Sequence, residues 1–174
     1  MSVIVYRDGV MAADTRAYSG DSTPIGHKMK IFRLTDGSLV GIATNKPGLG
    51  EALVNWFNAG CTHEALPDGE LVFSALLVRP TGDVFLYSDS PYPSGPLAGH
   101  YFAIGSGDRY ALGAFAMDAT AEQAVSAACM FDVWCSTPIA VLKLYEDDDE
   151  EPVGEGVDEG DEPADAEEDP QNGE

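Results

Sequence analysis

Histidine, cysteine and basic side chains are scarce in this chain of 174 residues, and each shortage removes a class of chemistry. The three cysteines, Cys61, Cys129 and Cys135, have neither metal-ligand spacing nor the even number a disulfide framework uses, so a reducing cytoplasm is expected. The three histidines, His27, His63 and His100, fall in or beside predicted loops with no shared spacing, and they are read as surface or structural residues. No metal or other cofactor is expected. No apolar run approaches the roughly 20 residues of a spanning helix, and the opening residues lack a basic n-region, so neither a membrane span nor a signal peptide is expected. Only nine lysines and arginines face thirty carboxylates, a formal net charge of −21, which argues against nucleic acid as a partner.

The charge is unevenly spread. Residues 146–174 hold sixteen of the carboxylates and no lysine or arginine. With no aromatics and with Pro152, Pro163 and Pro170, that stretch cannot bury enough apolar surface to offset chain entropy, and it is expected to be a disordered acidic tail. Solubility is its plain role, and docking of a basic partner is the specific one. Residues 1–145 are long enough for one hydrophobic core and are read as one domain.

Within that domain, apolar alternation and turn signals predict a sheet-rich body with a few helices. Asp8-Gly9 between Ser2-Val3-Ile4-Val5-Tyr6 and Val10-Met11-Ala12-Ala13 is a hairpin signal. A polar loop containing Gly20, Pro24 and Gly26 follows, then strands at 28–34 and 38–43 across the Asp36-Gly37 turn. Leu49, Ala52, Leu53, Trp56 and Phe57 recur at helical spacing over 47–58, with Gly60 placed to close the last turn. Strands are expected at 71–79 and 83–88, a loop at 91–96 and a strand at 100–104. A small-residue helix is expected over 110–117, and a second one runs to about Met130 from a Thr120/Gln123 capping box. The last strand is expected at 137–145.

Ser2 offers a candidate nucleophile. A hydroxyl needs a nearby base, and a serine exposed by removal of Met1 would carry one itself, since an α-amine with a pKa of about 7.7–8.0 is partly neutral near pH 7. The plain reading, that Met-Ser is only a start, stands beside this one. What distinguishes them is the order of features downstream: hairpin, Ala-rich strand, Asp14, loop, and Lys30 sixteen positions on, with Ala103-Ile104-Gly105-Ser106-Gly107 and Phe131-Asp132-Val133-Trp134-Cys135 near the end. In this ordered set the chain resembles the proteasome β-subunits and HslV-type peptidases of the N-terminal nucleophile hydrolase superfamily over about residues 2–145.

The resemblance implies an α+β fold, a four-layer αββα sandwich of two mostly antiparallel sheets. It implies Ser2 as nucleophile, Lys30 as the cation that lowers the α-amine pKa, Asp14 as the carboxylate that orients Lys30, and Ser106 and Asp132 as holders of the amine. It puts the oxyanion contact at Thr44-Asn45, with Arg16 and Tyr18 in the stretch lining the substrate cleft. Three departures accompany it. Serine stands where proteasome-type members have threonine and lacks the methyl that restricts χ1. Thr44-Asn45 replaces small glycine-type residues, and Cys135-Ser136 replaces Ser-Gly or Thr-Gly. Residues 58–71 are also too few for the second helix that HslV-type subunits carry there.

The function so implied is a threonine-type peptidase that uses serine, acting on polypeptides within a homo-oligomeric ring, with an ATP-driven unfoldase as a possible feeding partner. Two other classes remain open: an inactive ring or scaffold subunit, and an amidohydrolase of the same superfamily acting on a small amide. Assembly state and reactivity at Ser2 separate the three.

Overall fold

The computed structural model describes residues 2–19 and 23–145. The expected removal of Met1 and the expected disordered acidic tail lie outside the described residues.

The fold is α+β. Strands β1 (Ile4–Arg7) and β2 (Val10–Asp14) form the hairpin signalled by Asp8-Gly9, and both turn residues have positive φ, 49° and 79°, as a tight hairpin turn requires. They sit at the centre of a four-stranded antiparallel sheet in the order β10-β1-β2-β11, where β10 is Tyr101–Ile104 and β11 is Ile139–Lys143. A second antiparallel sheet of five strands runs in sequence order: β5 (Ile31–Arg33), β6 (Leu39–Thr44), β7 (Phe73–Val78), β8 (Val84–Ser88) and β9 (Ser94–Leu97). Between β2 and β5 lies a separate hairpin, β3 (Arg16–Ser19) with β4 (Thr23–His27).

Period-two alternation sorts the side chains into three apolar clusters. Ile4, Met11 and Ile104 of the first sheet meet Leu39, Leu76 and Val78 of the second in one cluster. The opposite face of the second sheet, through Val40, Ile42 and Leu77, packs with Leu53 and Trp56 of helix α1 (Leu49–Asn58). The opposite face of the first, through Val3, Val5 and Ala12, packs with Ala111 and Ala124 of helices α2 (Asp108–Phe115) and α3 (Ala121–Phe131). Each sheet is therefore apolar on both faces, which is why β1 and β6 read as nearly continuous hydrophobic runs. The small side chains of α2 and α3 let the helices lie close to the sheet.

Helix limits follow local chemistry. Thr120 and Gln123 form the reciprocal capping box at the start of α3, with bonds of 3.2 and 2.9 Å. The first helix begins at Leu49 and not at Pro47, because Gly48 at its N-cap is left-handed with φ 79°. Only a 3-10 turn, His63–Ala65, lies between α1 and β7, in keeping with the shortness of that stretch.

Two segments read as loops are strands. The β3–β4 hairpin escaped the pattern because β4 is exposed along its whole length and carries Pro24 and Gly26, while β3 shifts register between Ala17 and Tyr18. The edge strand β9 pairs with β8 through an irregular register; a Cβ on Gly95 would stand 2.8 Å from Val84 O, so glycine permits the approach.

Gly41 has a comparable role between the sheets. It shares the inward face with Leu39, and a Cβ there would lie 2.4 Å from Ile4 Cγ2 and 3.3 Å from Met11 Sδ. Gly41→Ala is therefore expected to destabilise the fold by about 1–3 kcal/mol through overpacking, read as a lower urea midpoint at unchanged slope. An unaltered midpoint would show that the two sheets are not held at this spacing.

Candidate active site

Asp14 ends β2 with no exposed surface, in a position where an isolated carboxylate would be strongly disfavoured. Four donors satisfy it. Oδ1 accepts from Lys30 Nζ at 2.8 Å and from the Val3 backbone N–H at 2.9 Å. Oδ2 accepts from the backbone N–H groups of Arg16 at 3.2 Å and Ser136 at 3.4 Å. Lys30, just ahead of β5 and also buried, is tied to β6 by a bond from Ile42 N–H to its carbonyl. The ion pair thus joins one sheet to the other and lies one residue from Ser2.

Ser2 is 2% exposed and is held by the turn after β10. Its backbone N–H donates to Ser106 Oγ at 3.1 Å. Its carbonyl accepts from Ser106 Oγ at 3.3 Å and from Gly107 N–H at 3.1 Å. The glycines flanking Ser106 make this possible. Gly105 has φ 100°, and a Cβ on it would fall 2.3 Å from Ser2 O; a Cβ on Gly107 would press on Val3 and Cys135 at 3.0 Å. The Ile104-Gly105-Ser106-Gly107 run is a wrap around the backbone of residue 2.

Ser2 and Lys30 line a cavity of about 220 Å³ together with Arg16, Tyr18, Thr44 and Asn45. A larger recess of about 570 Å³ shares Thr44 and Asn45 and continues past Gly105 to Trp134. The Thr44 hydroxyl is turned to the backbone, donating to Val72 O at 2.7 Å and accepting from Lys46 N–H at 3.1 Å, so it braces the turn that carries Asn45. Arg16 and Tyr18 clamp the loop after α3: both donate to Val133 O, at 3.3 and 3.0 Å, and the Tyr18 ring meets Trp134 edge-on at 5.5 Å.

Asp132 is brought to the same end of the molecule but is engaged within its own loop. It accepts from Trp134 N–H at 2.9 Å and from Cys135 Sγ at 3.4 Å. No hydrogen bond between Asp132 and Ser2 is present among the described residues. Its route to residue 2 runs through Cys135, which packs on Gly107.

Sequence reasoning saw Gly105 and Gly107 only as members of a motif, without their steric role, and gave no role to Lys28 and Lys46, which also line the Ser2 cavity. The signal for the lysines was the crowding of five of the nine basic residues between positions 16 and 46. Cys129 stands close enough to Asp14 and Lys30 to feel both charges, and burial first, then Asp14, pushes its thiol up to about 11. Burial, with Asp14 and Asp132, pushes Cys135 up as well. Both thiols are kept protonated, which argues against cysteine as the nucleophile here.

With this geometry in view, solved structures supply a comparison. A structure of Thiobacillus denitrificans BPH in complex with epoxomicin superposes with a TM-score of 0.59 at 23% identity, covering 83% of this chain and 99% of that one. Thiobacillus denitrificans BPH without the complex gives 0.57 at 23%, covering 84% and 99%. The two proteins share a fold. No protein-family model matches the sequence, and no curated protein does. No group of histidine, cysteine and carboxylate side chains suited to a metal is present among the described residues.

Two outcomes follow from the buried groups. Asp14→Ala leaves the Lys30 ammonium without its counter-charge and is expected to cost about 3–5 kcal/mol, with Asp14→Ala/Lys30→Met recovering part of it; equal loss in single and double variants would contradict the pairing. Folding raises the Cys129 pKa above its ordinary value of 9.0, so its contribution to stability is intact below about pH 9 and is lost as pH rises through about 11. Iodoacetamide near neutral pH should accordingly leave Cys129 and Cys135 unmodified in the folded protein, as followed by peptide mass mapping.

Proposed function

We propose that residues 1–145 form a single proteasome-like hydrolase domain of the N-terminal nucleophile type, its layers running helix, sheet, sheet, helix, and that it hydrolyses peptide bonds through Ser2. The observation that carries this reading is the Ser2 nitrogen, 3.1 Å from Ser106 Oγ and next in the chain to the Val3 N–H held by the Asp14–Lys30 pair. Removal of Met1 turns that nitrogen into an α-amine. The binding of epoxomicin, a proteasome inhibitor, by the structurally similar Thiobacillus denitrificans BPH supports the same chemistry.

In this reading Ser2 Oγ attacks the scissile carbonyl while its proton passes to the α-amine. The amine returns that proton to the departing amide nitrogen as the C–N bond breaks, leaving an ester on Ser2. Water then attacks the ester, gives a proton to the amine, and the amine hands it to Ser2 Oγ as the acid product leaves. Lys30 disfavours a second positive charge nearby and so keeps the amine available as a base. Asp14 fixes Lys30, Ser106 orients the amine, and Asp132 supports the turn through Cys135. The oxyanion contact is assigned to the Thr44–Asn45 turn, where a backbone N–H serves whatever the side chain.

Assembly into a homo-oligomeric ring belongs to the proposal and is supported by exposed apolar side chains on α2, α3 and the loop after α3. The Tyr110 and Phe131 rings of α2 and α3 meet at 5.8 Å in a tilted pair and are both exposed, and Met130 and Val133 beside Phe131 in the chain are exposed as well. A cytoplasmic location and supply of unfolded polypeptide by an ATP-driven unfoldase complete the reading.

Incubation with epoxomicin should add one inhibitor mass to the peptide containing Ser2 and none to Ser2→Ala. Lys30→Ala should slow the addition by about 10²-fold or more, and Ser106→Ala, which removes no buried charge, should slow it with little loss of stability. A folded, assembled protein that takes up no inhibitor would favour the scaffold reading, and a monomer that turns over small amides alone would favour the amidohydrolase.

A further inference from the structure

The cavity lined by Ser2 draws cations from several elements at once. Arg16 of β3, Lys28 after β4, Lys30 before β5 and Lys46 after β6 all contribute to its wall, and among the described residues no carboxylate does. These are four of the nine basic residues of a chain whose net charge is −21. The neighbouring recess has the opposite character: it is lined by Asp89 and by no lysine or arginine. The basic lining is therefore local to the cavity beside Ser2.

The four cations are not equally available. Lys30 is committed to Asp14 at 2.8 Å, and Arg16 to the neutral oxygens of Tyr18 and Val133. Lys28 meets Glu51 only at 3.8 Å, and Lys46 meets the Glu70 carboxylate at 3.3 Å; the glutamate side chains are 61% and 80% exposed. Solvated pairs of this kind contribute little, so Lys28 can turn to a better-held anion at small cost, while Lys46 also donates to the Glu70 carbonyl at 2.6 Å and would meet an anion with its remaining N–H groups. The same wall includes the apolar side chains of Ala17, Ile25, Ile42 and Pro47. A short aliphatic stem ending in a carboxylate matches that surface, and a basic side chain would be repelled from it.

We propose that this cavity receives an acidic side chain of the polypeptide substrate, with Lys28 and Lys46 as its specificity-determining cations. The inference rests on Ser2 as the nucleophile, since that is what puts the cavity next to the scissile bond.

The test uses a matched set of peptide epoxyketones with Glu, Gln, Leu or Lys at the residue bearing the reactive group, and reads the rate of mass addition at Ser2. The Glu probe should react about tenfold faster than the Gln probe at low ionic strength, and the advantage should shrink in about 0.5 M salt. Lys28→Gln and Lys46→Gln should each reduce the ratio of the Glu probe's rate to the Gln probe's rate. Reaction of the Gln or Leu probe at least as fast as the Glu probe would overturn the inference and leave the nucleophile in place. If no probe adds to Ser2, the nucleophile reading fails separately, and the cavity is then read by calorimetric binding of the same peptides as unreactive amides. Tighter binding of the Glu peptide than of the Gln peptide, lost in Lys28→Gln, supports an acid-selective cavity, and equal binding of the two overturns it.

Discussion

A buried carboxylate beside a buried ammonium is stabilising only when the remaining lone pairs of the acid are also used, and Asp14 meets that condition with three backbone N–H groups besides Lys30. Those donors come from residues 3, 16 and 136, and the ammonium from residue 30. One side chain thus fixes the start of β1, the entry to β3, the loop that leads to β11 and the approach to β5. Each of these segments borders the cavity at Ser2 or the loop beside it.

The same pair spans the two large sheets, since Asp14 belongs to β2 and Lys30 leads into the strand paired with β6. The spacing between the sheets is set nearby by Gly41, whose missing side chain leaves room for Ile4. Apolar packing therefore sets the distance between layers, and the ion pair sets their alignment at one end. Ser2 lies where both constraints act, with the turn from Gly105 to Gly107 closing on it from the third side. The backbone of Ser2 is fixed in this way, and a fixed backbone is the orientation that the proposed nucleophile requires.

Much of this was legible in the sequence, for reasons that differ from residue to residue. The Asp8-Gly9 turn and the Thr120/Gln123 box are local chemistry, carried by two and four positions. The central strands β1, β2, β6 and β7 were visible because nearly every position in them is buried, whereas the exposed edge strand β9 read as a loop. The β3–β4 hairpin was not visible either, since its outer strand buries nothing and its partner strand shifts register within four residues. The convergence of Lys28 and Lys46 on one cavity depends on how β4 and β6 lie against each other, which no spacing along the chain encodes. Asp132 is instructive in the other direction: the ordered resemblance singled it out, but its carboxylate oxygens serve its own loop. Gly105 and Gly107 were seen as part of a motif, and the reason for them is steric, the passage of the chain against Ser2 O and Val3.

Ser2 has a base of its own only if the nitrogen of residue 2 is a free amine in the working protein. Intact-mass measurement of the protein produced without any N-terminal extension, combined with sequencing of its first peptide, tests this directly. A chain that begins at Ser2 is the predicted result, since only then does the nitrogen beside Ser106 become a base. A folded protein that keeps Met1 throughout would contradict the account, because that nitrogen would remain an amide and Ser2 would have no base of its own.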